Sequence, residues 1–399
     1  MRQAMTVAVL VMACTCTAVL PGCRAMVRED RPHADSWEAR EAYNAARAAE
    51  TATSMAELVR HVKAEHDAFA SGQSTQPPVV DILIVSGGGD WGAFGAGVLM
   101  GWGEVEGELA RPQFDVVTGV STGALIAPFA FVGTDTSIAL IDQLYRNPKK
   151  DFAVARGPLF FLPHHPSFVT IPGLVREIER VITPQTLARV VEAGESGRLL
   201  AVNTTNVDMG EPHAWNIVAE ARQAVASGDD DRVRHILLAS AAIPGVFPPV
   251  EIDDGLYVDG AVTGNILYGG RQRERDSFLG HWLATWPDVP VPRMRYWVIL
   301  NNQLLFPPEV IQPTWPRIIA RSSFISNQSA TVNALRHLHA MATVMRETQD
   351  VEVEVRIIAV PNDWRPPAPG TFNAQVMNEL ADLGASMGRD PSRWMTTSP

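Results

Sequence analysis

After residue 23 this chain has no cysteine; Cys14, Cys16 and Cys23 are the three it contains. That absence excludes a disulfide framework and any cysteine-ligated zinc site from the rest of the chain. Clustered positive charge is equally scarce. The net charge is −11 over 399 residues, and the densest basic stretch, Arg271-Gln272-Arg273-Glu274-Arg275-Asp276, is interleaved with acids. Phosphate contacts need concentrated lysine and arginine, so nucleic acid is excluded as a partner. There is no internal repeat and no low-complexity block. What remains is a globular composition, 46% hydrophobic and 19% charged, able to bury one large core or two smaller ones.

The N-terminus differs from the rest. Arg2 precedes an apolar stretch over residues 4–20, too short for a comfortable membrane span and shaped like a secretory signal. Residues 1–22 are therefore set aside as a signal peptide. They end in Leu20-Pro21-Gly22-Cys23, which resembles a bacterial lipobox, where cleavage before the cysteine frees it for acylation. The expectation is a mature chain held on a membrane through Cys23; Pro21 is uncommon in that motif, and ordinary secretion is the alternative. By analogy with bacterial lipoproteins, Arg24 in place of Asp points to the outer membrane, facing the periplasm. Residues 23–78, rich in Ala, Glu and Arg, read as a tether with one or two surface helices around 36–70, then a linker ending in Pro77-Pro78.

From residue 79 to 399 short apolar runs alternate with helical patterns. Runs at 79–85, 114–117, 199–203, 296–300 and 353–360 read as strands, and 123–131, 172–181 and roughly 316–348 as helices. The alternation predicts an α/β domain, a mostly parallel central sheet with helices on both faces.

Gly87-Gly88-Gly89-Asp90-Trp91-Gly92 follows the first strand and satisfies the dinucleotide-binding pattern G-x-G-x-x-G. Such a match arises by chance roughly 0.2 times in a chain this long. A nucleotide site also wants an acid ending the second strand, and Asp115 starts its run instead. At the end of that run stands Thr118-Gly119-Val120-Ser121-Thr122-Gly123, a G-x-S-x-G sequence opening an Ala-rich helix. Glycine two residues either side lets the backbone pass a strained strand-to-helix turn, which presents the serine hydroxyl at the positive end of a helix. Two glycine elements that each follow a strand fit an acyl-transfer site better than a nucleotide cradle. One offers a nucleophile, the other backbone N–H donors for an oxyanion. A third element, Asp259-Gly260 at the tip of a short apolar run, is by itself an ordinary turn signal.

Together these residues resemble the patatin-like phospholipase family. The loop at 87–92, Gly119-Val120-Ser121-Thr122-Gly123, the stretch Ala239-Ser240-Ala241-Ala242-Ile243-Pro244-Gly245-Val246-Phe247-Pro248-Pro249 and Asp259-Gly260-Ala261 occur in the family's order. The similarity spans roughly 80–270, with weaker similarity near 372–384, leaving C-terminal helices and strands over 271–399. The resemblance implies a three-layer α/β/α fold with the serine on a nucleophile elbow, and hydrolysis of lipid acyl esters through an acyl-enzyme. Carried over by position, Ser121 is the nucleophile and Asp259 the base of a Ser-Asp dyad without histidine. Gly87, Gly88, Gly89 and Gly92 form the oxyanion hole, and Gly119 and Gly123 are the elbow glycines. The implied substrates are membrane lipids or other acyl esters, with no cofactor and no metal. Many members carry Arg or Lys where this chain has Trp91, so the oxyanion donors would be neutral. Asp90 reads as a cap for the helix that follows.

Three further features compete for function. His337-Leu338-His339 places two imidazoles at i, i+2, where a helix makes them diverge, which disfavours a metal. Phe160-Phe161-Leu162 and His164-His165 lie in an apolar, proline-rich loop that reads equally as a lipid-entry surface or as core. An α/β-hydrolase triad drawing on His281, His337 or His339, and a catalytically inactive lipid-binding protein, are the alternative functions.

Overall fold

The computed structural model describes Arg28 and residues 36–157, 165–269 and 277–399. Residues 1–22, Cys23, the 160–162 segment, His164 and the basic stretch at 271–276 lie outside the described residues. In chain order the first half comprises helix α1 (Trp37–Ala70), strand β1 (Val79–Val85), α2 (Gly92–Trp102), β2 (Val116–Val120), α3 (Thr122–Val132), α4 (Asp135–Arg146), the short strands β3 (Val154–Ala155) and β4 (Val169–Thr170), α5 (Pro172–Val181) and α6 (Pro184–Gly194). The second half comprises β5 (Leu199–Asn206), β6 (Glu211–Asn216), α7 (Ile217–Ser227), α8 (Asp231–Ser240), β7 (Val250–Ile252), β8 (Gly255–Asp259), α9 (Phe278–Thr285), β9 (Arg293–Gln303), α10 (Trp315–Gln349), β10 (Val353–Val360) and α11 (Ala374–Gly388).

The near-continuous apolar run of β1 is what a strand covered on both faces requires. It sits in the middle of an eight-stranded sheet of order β10-β9-β1-β2-β5-β8-β7, with β6 also paired to β5. The first five strands of that order are parallel, and β6, β7 and β8 join antiparallel. Alternate side chains feed two cores. Leu83, Val85, Val117 and Val202 face α2, α3, α8 and α11, whereas Val80, Ile82, Ile84 and Val298 face α1, α9 and α10. This is the mixed α/β, mostly parallel architecture the alternating pattern implies. No helix among the described residues is long and apolar enough to cross a membrane.

Two features depart from the sequence reading. The second strand occupies 116–120 rather than 114–117, because pairing with β5 continues through Gly119 to Val120, right up to the elbow. The helix expected around 36–70 forms as one element of 34 residues, but it is not confined to the surface: its Leu58, Val59 and Val62 are fully buried against the sheet.

The tightest packing lies between α2 and α11. A Cβ at Gly97 or Gly101 would come within 2.1 Å of Ala381 O and 2.0 Å of Ala385 O. One at Gly384 or Gly388 would meet Phe94 O at 2.2 Å and Val98 O at 2.3 Å. These helices touch backbone to backbone, and no larger side chain fits between them.

Candidate active site

The register of β5 brings the site together. β6 takes one edge of β5, while β2 and β8 share the other: Val120 pairs with Asn203, and Asp259 pairs with the next residue, Thr204. Ser121, directly after β2, therefore abuts Asp259, directly at the end of β8, although 138 positions of sequence separate serine and acid.

Ser121 is buried and adopts φ 53°, ψ −122°, a conformation that costs an L-residue about 1–3 kcal/mol. Its surroundings hold it there. Its N–H donates to Ser240 Oγ (2.9 Å), and that hydroxyl donates to Asn203 O (2.7 Å). The flanking glycines are a steric requirement. A Cβ at Gly119 would lie 2.4 Å from Gly123 O, and one at Gly123 would lie 2.2 Å from Val85 O. Behind the elbow, buried Thr122 contacts the Tyr145 hydroxyl, which also donates to Thr122 O (3.1 Å).

Asp259 is buried, and its carboxylate accepts the Ala261 N–H at 2.8 Å. Burial pushes its pKa up to about 6; Ser121 and the Ala261 N–H pull the other way, and no cation among the described residues does. A buried acid poised near 6 beside a serine can take up a proton near neutral pH. Asn203 Nδ2 donates to Gly260 O (3.0 Å), and Thr205 Oγ1 donates to Asp259 O (3.0 Å), which fixes the turn behind the carboxylate.

The glycine loop lies against this pair. A Cβ at Gly87 would sit 3.1 Å from Ser121 Cβ and 2.5 Å from Asn265 Oδ1. The loop is buckled to β9 by Asn301, whose N–H donates to Ser86 Oγ (2.9 Å) and whose Nδ2 donates to Ser86 O (2.8 Å). Asn301 Oδ1 accepts from Gly95 N–H in α2 (2.9 Å). The sequence reading assigns all four loop glycines to an oxyanion hole, but two of their N–H groups are engaged. Gly87 donates to Asn265 O (3.3 Å), and Gly92 donates back into the short 3₁₀ turn. Gly88 and Gly89 face no backbone acceptor among the described residues, and Gly89, at φ +60°, has open space where a side chain would stand.

Asp90 does not cap the following helix. Its Oδ2 accepts the N–H of Phe372 at 2.8 Å, tying the loop to the chain just before α11, and burial raises its pKa. Trp91 packs edge-on against Trp364, with ring centroids 5.0 Å apart. Of the histidines weighed as bases, His337 is bonded to Tyr268 (2.9 Å) and His339 Nε2 is buried without a partner. None of the described histidines hydrogen-bonds to Ser121 or Asp259. Ser86, Asn203, Ser240 and Asn301, which hold the site's backbone, escaped the sequence reading. Each is a polar residue within or at the end of a strand or helix, and only its full burial marks it out.

No curated protein matches the chain. Among solved structures, the crystal structure of VipD from Legionella pneumophila aligns over 80% of this chain and 68% of that one, at 11% identity and a TM-score of 0.36. A family match is found where the serine, the acid and the glycine loop lie: residues 83–269 match the model of the Patatin-like phospholipase family.

Proposed function

We propose that this chain hydrolyses acyl esters of membrane lipids, as a phospholipase A or lysophospholipase, through a Ser121-Asp259 dyad and an acyl-enzyme. The observation that carries the reading is the strained, buried serine brought by the register of β5 beside a buried acid whose pKa is pushed up to about 6, with none of the described histidines bonded to either. Ser121 Oγ attacks the ester carbonyl carbon as its proton passes to Asp259. The N–H groups of Gly88 and Gly89 hold the developing oxyanion. Collapse expels the alcohol, which takes the proton from Asp259. Water then gives a proton to Asp259 and attacks the acyl-serine; a second collapse frees the fatty acid and returns the proton to Ser121. The same reading puts the mature chain on a membrane through acylated Cys23, and an intact mass showing an unmodified N-terminus would refute that part.

The test of the chemistry compares Ser121→Ala with single alanine variants at His281, His337 and His339, all checked for folding. Fluorophosphonate labelling and ester turnover should vanish in Ser121→Ala and stay within several-fold of the parent in the histidine variants. A folded histidine variant as inactive as Ser121→Ala would replace the dyad with a triad.

A further inference from the structure

One apolar surface takes no part in the core. Helix α10 leaves the catalytic end of the sheet and runs back along it, and its first buried residue is Gln328, whose Nε2 donates to Leu304 O (2.9 Å). Beside it, Asn327 Nδ2 donates to Ala261 O (3.2 Å), two residues past Asp259. The twelve residues 315–326 therefore project about 18 Å beyond the catalytic end, at 1.5 Å per residue. Trp315 is 72% exposed, Ile319 57%, Ile318 49% and Ile325 46%, and helical geometry places all four on one face. A solvated helix end would not be expected to carry such a stripe.

We propose that this projecting half of α10 docks on a phospholipid bilayer, its apolar face entering the interface so that the catalytic end of the sheet lies against the membrane. Two observations select a bilayer as the occupant. The helix that bears the stripe touches the turn that carries Asp259, through Asn327 on its other side, where a lipid acyl ester must arrive. Arg28 is held by Asp208 (2.6 Å) and by Asp254 O (2.7 Å), on the loops after β5 and before β8, at this same end of the sheet. Cys23 is five residues upstream, a reach of roughly 17 Å, so an anchor there tethers this end and no other. With a net charge of −11, adsorption comes from apolar insertion and is insensitive to salt. The proposal rests on the lipid-hydrolase reading for its substrate, but vesicle binding can be measured without turnover.

The experiment uses the full chain carrying Cys23→Ser and Ser121→Ala, so that neither anchor nor catalysis contributes. Sedimentation with phosphatidylcholine vesicles should show binding that persists in 0.5 M NaCl. In a second protein with Trp315, Ile318, Ile319 and Ile325 all changed to Ser, binding should fall at least about tenfold with no loss of cooperative melting. Trp315→Phe alone should keep most of it. With Ser121 restored, the ratio of vesicle turnover to p-nitrophenyl butyrate turnover should fall about tenfold in the quadruple variant. Equal vesicle binding by the parent and quadruple variant overturns the proposal, as does a parent dimer in light scattering that the four changes dissolve. If the parent binds vesicles through this face yet the protein with Ser121 restored hydrolyses neither ester, the hydrolase reading fails and the docking surface stands.

Discussion

The two ends of the sheet bury carboxylates for opposite purposes. At the end away from Ser121, Asp81 accepts two hydrogen bonds from Arg295 (2.8 and 2.7 Å) and one from Trp297 Nε1 (2.7 Å). Asp115 accepts the Asp81 N–H at 2.7 Å and faces His61 Nε2 at 3.1 Å, while Arg198 donates to Phe114 O and Phe131 O. At the catalytic end Asp259 has, among the described residues, no cation, only Ser121 and one backbone N–H. Full pairing makes a buried acid a structural joint; desolvation with sparse partners makes it a proton acceptor. His61, Glu65 and Asp115 come close enough for a metal ion, but Asp115's oxygens already serve His61 and the Asp81 N–H, so the cluster belongs with the joints.

The comparison is tested most severely at Asp259. Asp259→Asn keeps the shape and removes the acceptor, so turnover should fall by about 10²- to 10⁴-fold. In the parent, kcat/KM should lose activity as pH falls through about 6, where Asp259 becomes protonated. Stability runs the other way. The folded pKa lies above the ordinary aspartate value, so folding is favoured at low pH, and that stability is lost as pH rises through 6. The inactive Asn variant should therefore gain stability over the parent at pH 8, by on the order of 2 kcal/mol, and much less at pH 4. A melting-temperature difference that ignores pH would remove the contrast between the two ends.

Next in size is Asp81→Asn. It strands Arg295 beside a neutral partner and should cost about 3–5 kcal/mol in denaturant unfolding, with turnover per folded molecule unchanged. Ser240→Ala removes the acceptor for the Ser121 N–H and should cost about 1–3 kcal/mol, with a roughly tenfold loss in kcat rather than KM. His61→Ala should be the mildest, about 1 kcal/mol or less, with no effect on turnover.

The strands that carry the site were legible because burial on both faces writes itself as an apolar run, and Ser121 because only glycine fits at 119 and 123. The antiparallel end was not. β7 has three residues and β8 five, too short to show a period, and their place follows from the register on β5. Asp90 misled because a cap and a distant backbone partner look alike in sequence; the Phe372 N–H lies 282 positions away. Composition in α1 and the helical pattern in α10 predicted helices correctly but could not say which stripe meets the sheet. Leu58 and Val59 are covered, and Ile318 and Ile319 are not.

The contact of α2 with α11 has a consequence for the order in which the protein is made. The loop at 87–92 is made well before Phe372, whose N–H donates to Asp90, and before the glycine stripe of α11, which seats the helix behind it. A nascent chain holding both Ser121 and Asp259 still lacks the surface that fixes the loop of Gly88 and Gly89. The proposed ester hydrolysis therefore needs the chain through α11, and a chain stopped before residue 372 should turn over no ester.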